Sequence, residues 1–341
     1  MLGISRKKKI SYVVNLAIVI LLYLVFTMLI RQGIVNSYYS DIMNMMCINI
    51  IMAVSLNLVT GLLGQLVLGH AGFMLVGAYT AGLFTIHSGL PLPVAFPIAL
   101  VLGGLVAAIF GVIIGVPALR LKGDYLAIIT LGFGEIIRVI ANNLTITNGA
   151  KGLYGIDSLN SRHNLTAMFT YIFFIAVLTI FISFTFGTSR HGRAVISIRE
   201  DEIAAEASGI NTTYYKLLAF ILAAFFAGVA GGLYAHQIGL IDPSKFDFNR
   251  SVEILVMVVL GGMGSITGSI ISAGVLTILP EALRGFASYR MLLYSIVLIC
   301  VMLFRPTGLL GRSEFSLMKT VDKIRGAVKG KKQDPASNKE G

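Results

Sequence analysis

Apolar positions run contiguously through most of this chain, with only short polar interruptions. Stretches such as "ISYVVNLAIVILLYLVFTMLI" (10–30), "IMNMMCINIIMAVSLNLVTGL" (42–62) and "MFTYIFFIAVLTIFISFTFG" (168–187) each reach the about 20 apolar residues with which an α-helix crosses a hydrocarbon core. The runs do not alternate at every second position, so helices are predicted and barrel strands are not. Further spans fall near 66–86, 92–116, 125–141, 214–235 and 289–304. The stretch 252–283 is apolar but broken by glycines, which predicts either two short spans or a re-entrant hairpin. The fold class expected is all-α, a polytopic inner-membrane protein with eight to ten transmembrane helices, about ten when short or broken ones are included.

Composition agrees with the pattern. Hydrophobic residues make up 56% of the 341 positions and charged residues 13%, with a mean hydropathy of +0.85, whereas a soluble domain is about a quarter charged. The first apolar run follows "SRKKK" (5–9), as in a signal peptide. It is longer than an h-region of about 7–15 residues and no small-residue cleavage site follows, so it reads as an uncleaved anchor. Cys47 and Cys300 both lie inside apolar runs and read as buried thiols rather than as a disulfide or a metal site.

The net charge of +11 is a matter of topology. Arg6 to Lys9, Arg120, Lys122, Arg190, Arg193, Arg199 and the lysines from Lys319 to Lys332 all fall on one side if the spans alternate. By the positive-inside rule that side, with both termini, is cytoplasmic. Nucleic-acid binding is not needed to explain the charge. The chain thus divides into a basic cytoplasmic N-terminus (1–9), a membrane domain (10–310) with a charged cytoplasmic loop at 188–213, and a basic cytoplasmic tail (311–341). Within the tail, Leu317, Val321, Ile324 and Val328 stand at helical spacing among lysines, which fits an interfacial amphipathic helix or a disordered segment. The longest external segment, 142–167, reads as an ordered loop able to receive an external partner.

Catalytic signatures are missing from the sequence. There is no G-x-x-x-x-G-K-[ST] loop, "LGFGE" (131–135) lacks a preceding strand, and no H-E-x-x-H occurs. Histidines 70, 87, 163, 191 and 236 are scattered without ligand spacing. No catalytic residue, cofactor or metal is therefore assigned, and an enzyme is not expected. What stands out instead is polarity at membrane depth. Asn57, Gln65 and His70, with Glu135 and Arg138 three residues apart on one helix face, each cost free energy in lipid unless they face protein or water. They serve either as polar glue between helices or as the lining of a translocation path. Glycines add a second signal. "GLLGQLVLGHAG" (61–72) predicts a kink or break near Gly64, and "AGVAGG" (227–232) predicts close helix packing. Gly261, Gly262 and Gly264 mark tight packing or a broken membrane segment.

The charged loop contains "REDEIAAEASGIN" (199–211). Its pattern suits a helix from Ile198 to Ser208, ended by Gly209 as C-cap, with Asn211 capping the next helix. Such an element is either a docking surface or an ordinary solvated helix. "EIAAEASGI" resembles the E-A-A…G coupling motif of ABC importer permeases. Together with "SLNLVTGLLGQLVLGHAGFMLVGAYTAG" (55–82), "LRLKGDYLAIITLGFGEIIRVIANN" (119–143) and "VLGGMGSITGSIISAG" (259–274), it resembles the branched-chain amino acid ABC transporter permeases, specifically the LivM-type subunit. These blocks span about 55–310, nearly the whole membrane domain.

The resemblance implies a bacterial or archaeal cytoplasmic-membrane permease for leucine, isoleucine and valine. Its implied partners are two ABC ATPase subunits, a second related permease and an extracytoplasmic amino-acid-binding protein, besides membrane lipids. It implies that Glu202, Ala204, Ala205, Glu206 and Gly209 couple the chain to its ATPases. Permeases of the same superfamily carry urea, amides or sugars. An ion-coupled secondary transporter would need midplane carboxylates, for which only Glu135 and Glu253 qualify, and a lipid-linked transferase would need interfacial acids or metal ligands.

Overall fold

The computed structural model describes residues 6–121, 123–158, 166–305 and 308–311. Residues 1–5, 159–165 of the external segment and the tail from 312, with its expected amphipathic helix, lie outside the described residues.

Twelve α-helices occur among the described residues: α1 (Arg6–Arg31), α2 (Ser37–Asn57), α3 (His70–His87), α4 (Leu92–Ala118), α5 (Asp124–Asn143), α6 (Thr166–Thr188), α7 (Arg190–Glu200), α8 (Glu202–Ala207), α9 (Thr212–Ile238), α10 (Phe248–Gly261), α11 (Ile266–Ala282) and α12 (Arg290–Phe304). Five helical segments are long and apolar enough to cross a bilayer unaided: Ser37–Leu62, Leu92–Ala118, Thr166–Thr188, Thr212–Ile238 and Ile266–Gly285. The charged loop supplies α7 and α8. The other helices, α1, α3, α5, α10 and α12, are the shorter or more polar members of a polytopic membrane protein.

Helix α2 is central: 78% of its apolar window is buried, against 33% for α6 and for α11. A tight cluster of α3, α4 and α9 packs beside it through glycines. A Cβ added at Gly103 would stand 2.8 Å from the Gly77 carbonyl oxygen, and one at Gly228 would stand 2.6 Å from that of Gly103. Backbones this close leave room for no side chain, so "AGVAGG" on α9 is a packing face, as small-residue spacing predicts.

The stretch 252–283 forms a helical hairpin, α10 and α11, joined by a turn at 262–265. With 14 residues, α10 is about 21 Å long and falls short of the about 30 Å core, whereas α11 has the length of a span. The chain after α12 folds back onto this turn, where Leu309 donates its amide to the Leu260 carbonyl (2.7 Å) and Leu310 to that of Gly261 (3.3 Å). At the opposite end of the bundle, Leu153 and Tyr154 pair antiparallel with Ile241 and Leu240, which ties the described part of the 142–167 loop to the end of α9. Cys47 is buried, but Cys300 is exposed on α12, contrary to the expectation of two buried thiols.

Candidate functional site

The expected break near Gly64 is present and extends over several residues. Helix α2 passes into a π-helical turn at Leu58–Leu62; the backbone then turns at Gly64, whose φ is +76°, and runs without helix to His70. Asn57 ends α2, almost fully buried, and its Oδ1 accepts the Gly264 amide (2.9 Å). A Cβ at Gly61 would collide with that same Oδ1 and with the Gly264 amide. His70 opens α3, also buried, with its Nε2 2.9 Å from the Ser55 hydroxyl of α2. Asn57 and His70 thus fasten the two ends of the break. Among the described residues, the Gln65 side-chain oxygen is buried without a hydrogen-bonding partner.

The charged loop docks onto this break. Ser189 caps α7 by accepting the Gly192 amide (3.1 Å). The continuous helix expected from Ile198 to Ser208 is divided at Asp201, whose φ of −156° leaves the helical region. The Asp201 carboxylate captures the Ala204 amide (3.0 Å), since an Asp at this position gains more as an N-cap than as a helix-interior residue. Gly209, with φ +82°, ends α8 as expected. Its amide donates to the Glu206 carbonyl (2.9 Å) and that of Ile210 to the Ala205 carbonyl (3.1 Å), the two bonds of a Schellman cap. Asn211 caps α9 by accepting the Tyr214 amide (3.0 Å).

On α8, Ala205 is buried while Ala204, Glu206 and Ala207 face outward. Ile203 is 76% exposed, an apolar side chain in the open beside acids. The Glu202 carboxylate is engaged within the chain by Lys216 Nζ of α9 (2.7 Å), whose side chain is 5% exposed. Of the two glutamates implied in coupling, Glu206 faces outward and Glu202 holds α8 down.

Arg199, at the end of α7, reaches across to the π-helical turn that follows α2. Its Nη1 donates to the Gly61 carbonyl (2.9 Å) while its Nη2 pairs with Glu200 (2.6 Å). Its methylenes cover the space a side chain at Gly64 would need, and a Cβ at Gly264 would stand 3.3 Å from Nη1. One side chain of the loop therefore bonds to the broken helix and lies beside the α10–α11 turn. Within that turn Gly262 (φ +107°) and Gly264 (φ +91°) have positive φ, and Gly261 packs on the backbone of Gly268.

Glu135 and Arg138 pair with one another on α5 (2.6 Å), each about 30% exposed. Glu135 borders a cleft of only ≈ 10 Å³ against Gly72, Asp247 and Ser251. A far roomier polar groove lies beside α2, where Met45 and Asn49 face Lys245, Arg250 and Glu253. Lys216 and Arg250 were assigned no role from sequence, yet each carried a signal, since a cation in or beside an apolar run needs a partner; Arg199 was read only as a mark of the cytoplasmic side.

The family model described as "Branched-chain amino acid transport system / permease component" matches residues 38–304. The chain is 39% identical over 299 residues to the high-affinity branched-chain amino acid transport system permease protein LivM of Salmonella typhimurium, covering 79% of this chain and 69% of that protein. It is 29% identical over 289 residues to LivH of the same organism, 77% of this chain and 91% of that one. A probable LivM of Methanocaldococcus jannaschii matches at 24% over 234 residues, 62% of this chain and 67% of the archaeal protein. No solved structure matches.

Proposed function

The chain belongs to the family of branched-chain amino acid transport system permease components, and on that premise we propose that it imports leucine, isoleucine and valine as one half of a heteromeric pore. Its companions in this reading are a LivH-like second permease, two ATPase subunits on the cytoplasmic face and an extracytoplasmic binding protein that delivers the amino acid. Both termini and the 188–213 loop are cytoplasmic. A permease lacking any nucleotide-binding loop takes its energy from another chain, and α8 is the surface through which it does so. Ile203, Ala204, Glu206 and Ala207 meet the ATPase, Gly209 ends the helix so that its outer face is free, and Lys216 with Glu202 fixes α8 to α9. The observation that carries this reading is Arg199, which bonds the loop to the Gly61 carbonyl and lies beside the Gly264 turn. ATPase closure moves α7 and α8 as a rigid body, and Arg199 passes that motion to two broken helices, the type of bistable element that alternating access uses.

The test is purification of the tagged chain from its native membrane in mild detergent, followed by mass spectrometry. Recovery of two ATPase chains and a second permease in fixed stoichiometry is expected. Repeated recovery of the chain alone would overturn the coupling reading in favour of an ion-driven transporter.

A further inference from the structure

Among the described residues of the membrane domain, two ion pairs stand at i, i+3 spacing, and they differ in what lies beside them. Glu135–Arg138 borders a cleft of ≈ 10 Å³. Arg250–Glu253 on α10, joined at 3.0 Å, borders one of ≈ 480 Å³ whose other walls include Met45, Asn49, Tyr234 and Lys245. Met45 also belongs to a second cavity of ≈ 440 Å³ lined by Tyr38, Asp41, Ile42, Gln237 and Glu281. The two form one groove along α2, from Tyr38 at the end of the bundle away from Arg199 to Asn49, about 16 Å further in. Each cavity is within the about 300–1,000 Å³ typical of small-ligand pockets.

The groove is built rather than incidental. Asn44 donates to Gln237 (3.0 Å), which donates in turn to Asp41 (2.8 Å). Asn49 donates to Thr277 (2.9 Å) and accepts from Arg250 Nη2 (2.6 Å), so α2, α9, α10 and α11 hold the polar groups in place. Asp41 and Glu253 are exposed on this face and the Arg250 side chain is 19% exposed. Hydrocarbon does not tolerate such a face, so in the bilayer it looks onto water or protein.

We infer that this groove is the outer part of the solute path and that its floor holds the zwitterionic head of a free amino acid. Arg250 and Lys245 receive the carboxylate, Glu253 receives the ammonium, and Met45 with Ile42 lies along an apolar side chain. This rests on the importer reading above. The Arg250–Glu253 pair is itself a zwitterion in miniature: when empty, the two charges neutralise each other, and an arriving amino acid exchanges that internal pair for two external ones. Net binding is therefore weak, as a conduit needs if it is to release what it accepts. The same chemistry at Glu135–Arg138 has no space for a solute.

The experiment uses the assembled transporter in proteoliposomes, with Cys47 and Cys300 replaced by alanine and Met45→Cys as reporter. A charged, membrane-impermeant methanethiosulfonate is applied from the outside. The introduced thiol is expected to react, and millimolar leucine to slow the reaction about tenfold. Neither 4-methylpentanoate, which lacks the ammonium, nor isopentylamine, which lacks the carboxylate, slows it comparably. Arg250→Gln is expected to abolish protection while ATPase subunits still co-purify, and Arg250→Lys to restore part of it. An unreactive thiol in a complex that still takes up leucine would show the groove filled by the second permease and overturn the inference. So would equal protection by all three compounds or none, or normal protection in Arg250→Gln. Failure of the unsubstituted complex to take up leucine or retain ATPases would instead overturn the importer reading beneath it.

Discussion

The Arg199 guanidinium donates to the Gly61 carbonyl across 2.9 Å, linking α7 to a helix 138 positions earlier in the chain. The bond exists because α2 fails where it does. After Leu62 the backbone leaves its helical course, and the last carbonyls of a helix that stops have no donor of their own. Arg199 supplies one. It also covers Gly64, so loop and break are one mechanical piece.

From that bond comes the first prediction. Arg199→Ala leaves the Gly61 carbonyl without its charged donor and opens the space over Gly64. Hydrogen bonds to charged groups are worth about 1.5–3 kcal/mol, so the chain is still expected to fold and, on the importer reading proposed above, to co-purify with ATPase subunits. Leucine uptake is expected to fall more than about tenfold while ATP hydrolysis continues, a coupling loss read from the ratio of the two rates. Uptake and hydrolysis that fall together would point to a merely structural role.

Much of this was legible in the sequence, for physical reasons that differ by element. The spans were visible because hydrocarbon demands contiguous apolar residues, and the break near Gly64 because glycine is a poor helix former. Gly209 and Asn211 announced their caps by residue type and position. The split at Asp201 was not anticipated, because an Asp within a helix-compatible run signals a cap only once the backbone has chosen to turn there. Asn57 and His70 stood out as costly residues, yet their partners, the Gly264 amide and the Ser55 hydroxyl, depend on long-range packing no local pattern reveals. The Arg250 groove was hidden for the same reason, its walls coming from four helices.

The buried end of the Lys216–Glu202 pair gives a second prediction. Lys216 is 5% exposed and Glu202 27%, so removing the carboxylate strands an ammonium at the base of α9. Glu202→Gln is expected to destabilise the chain by about 2 kcal/mol, below the about 3–5 typical of fully buried pairs because Glu202 is part-exposed. Replacing both, as Lys216→Met with Glu202→Gln, should recover most of that loss. A double-mutant cycle on detergent-solubilised protein measures it; additive losses would show that the pair is not coupled.

A third prediction concerns the α3–α9 contact. A Cβ at Gly231 would collide with the Met74 carbonyl, which is backbone and has nowhere to move. Gly231→Ala is expected to cost at least about 2 kcal/mol, seen as a lower apparent melting temperature. Gly132 on α5 has nothing within 4 Å of its added Cβ. Gly132→Ala should be neutral or stabilising by up to about 1 kcal/mol from helix propensity. Equal behaviour of the two variants would contradict the packing.

Gly209 separates folding from coupling most cleanly. Its added Cβ would meet nothing within 4 Å, but its φ of +82° lies where side chains are strained. Gly209→Val therefore stresses the Schellman cap of α8 without touching the membrane bundle, at a cost of about 1–2 kcal/mol paid locally. Insertion and recovery of intact chain are expected to match the unsubstituted protein. The face carrying Ile203 and Glu206 shifts, however, and, with α8 as the proposed docking helix, stimulation of co-purifying ATPase subunits should drop severalfold. Gly209→Asn, whose residue type tolerates left-handed backbone, should retain most of it. Full coupled uptake in Gly209→Val would remove α8 as the docking helix and leave its exposed isoleucine unexplained. Loss in valine but not in asparagine would trace the defect to backbone geometry rather than to loss of glycine as such.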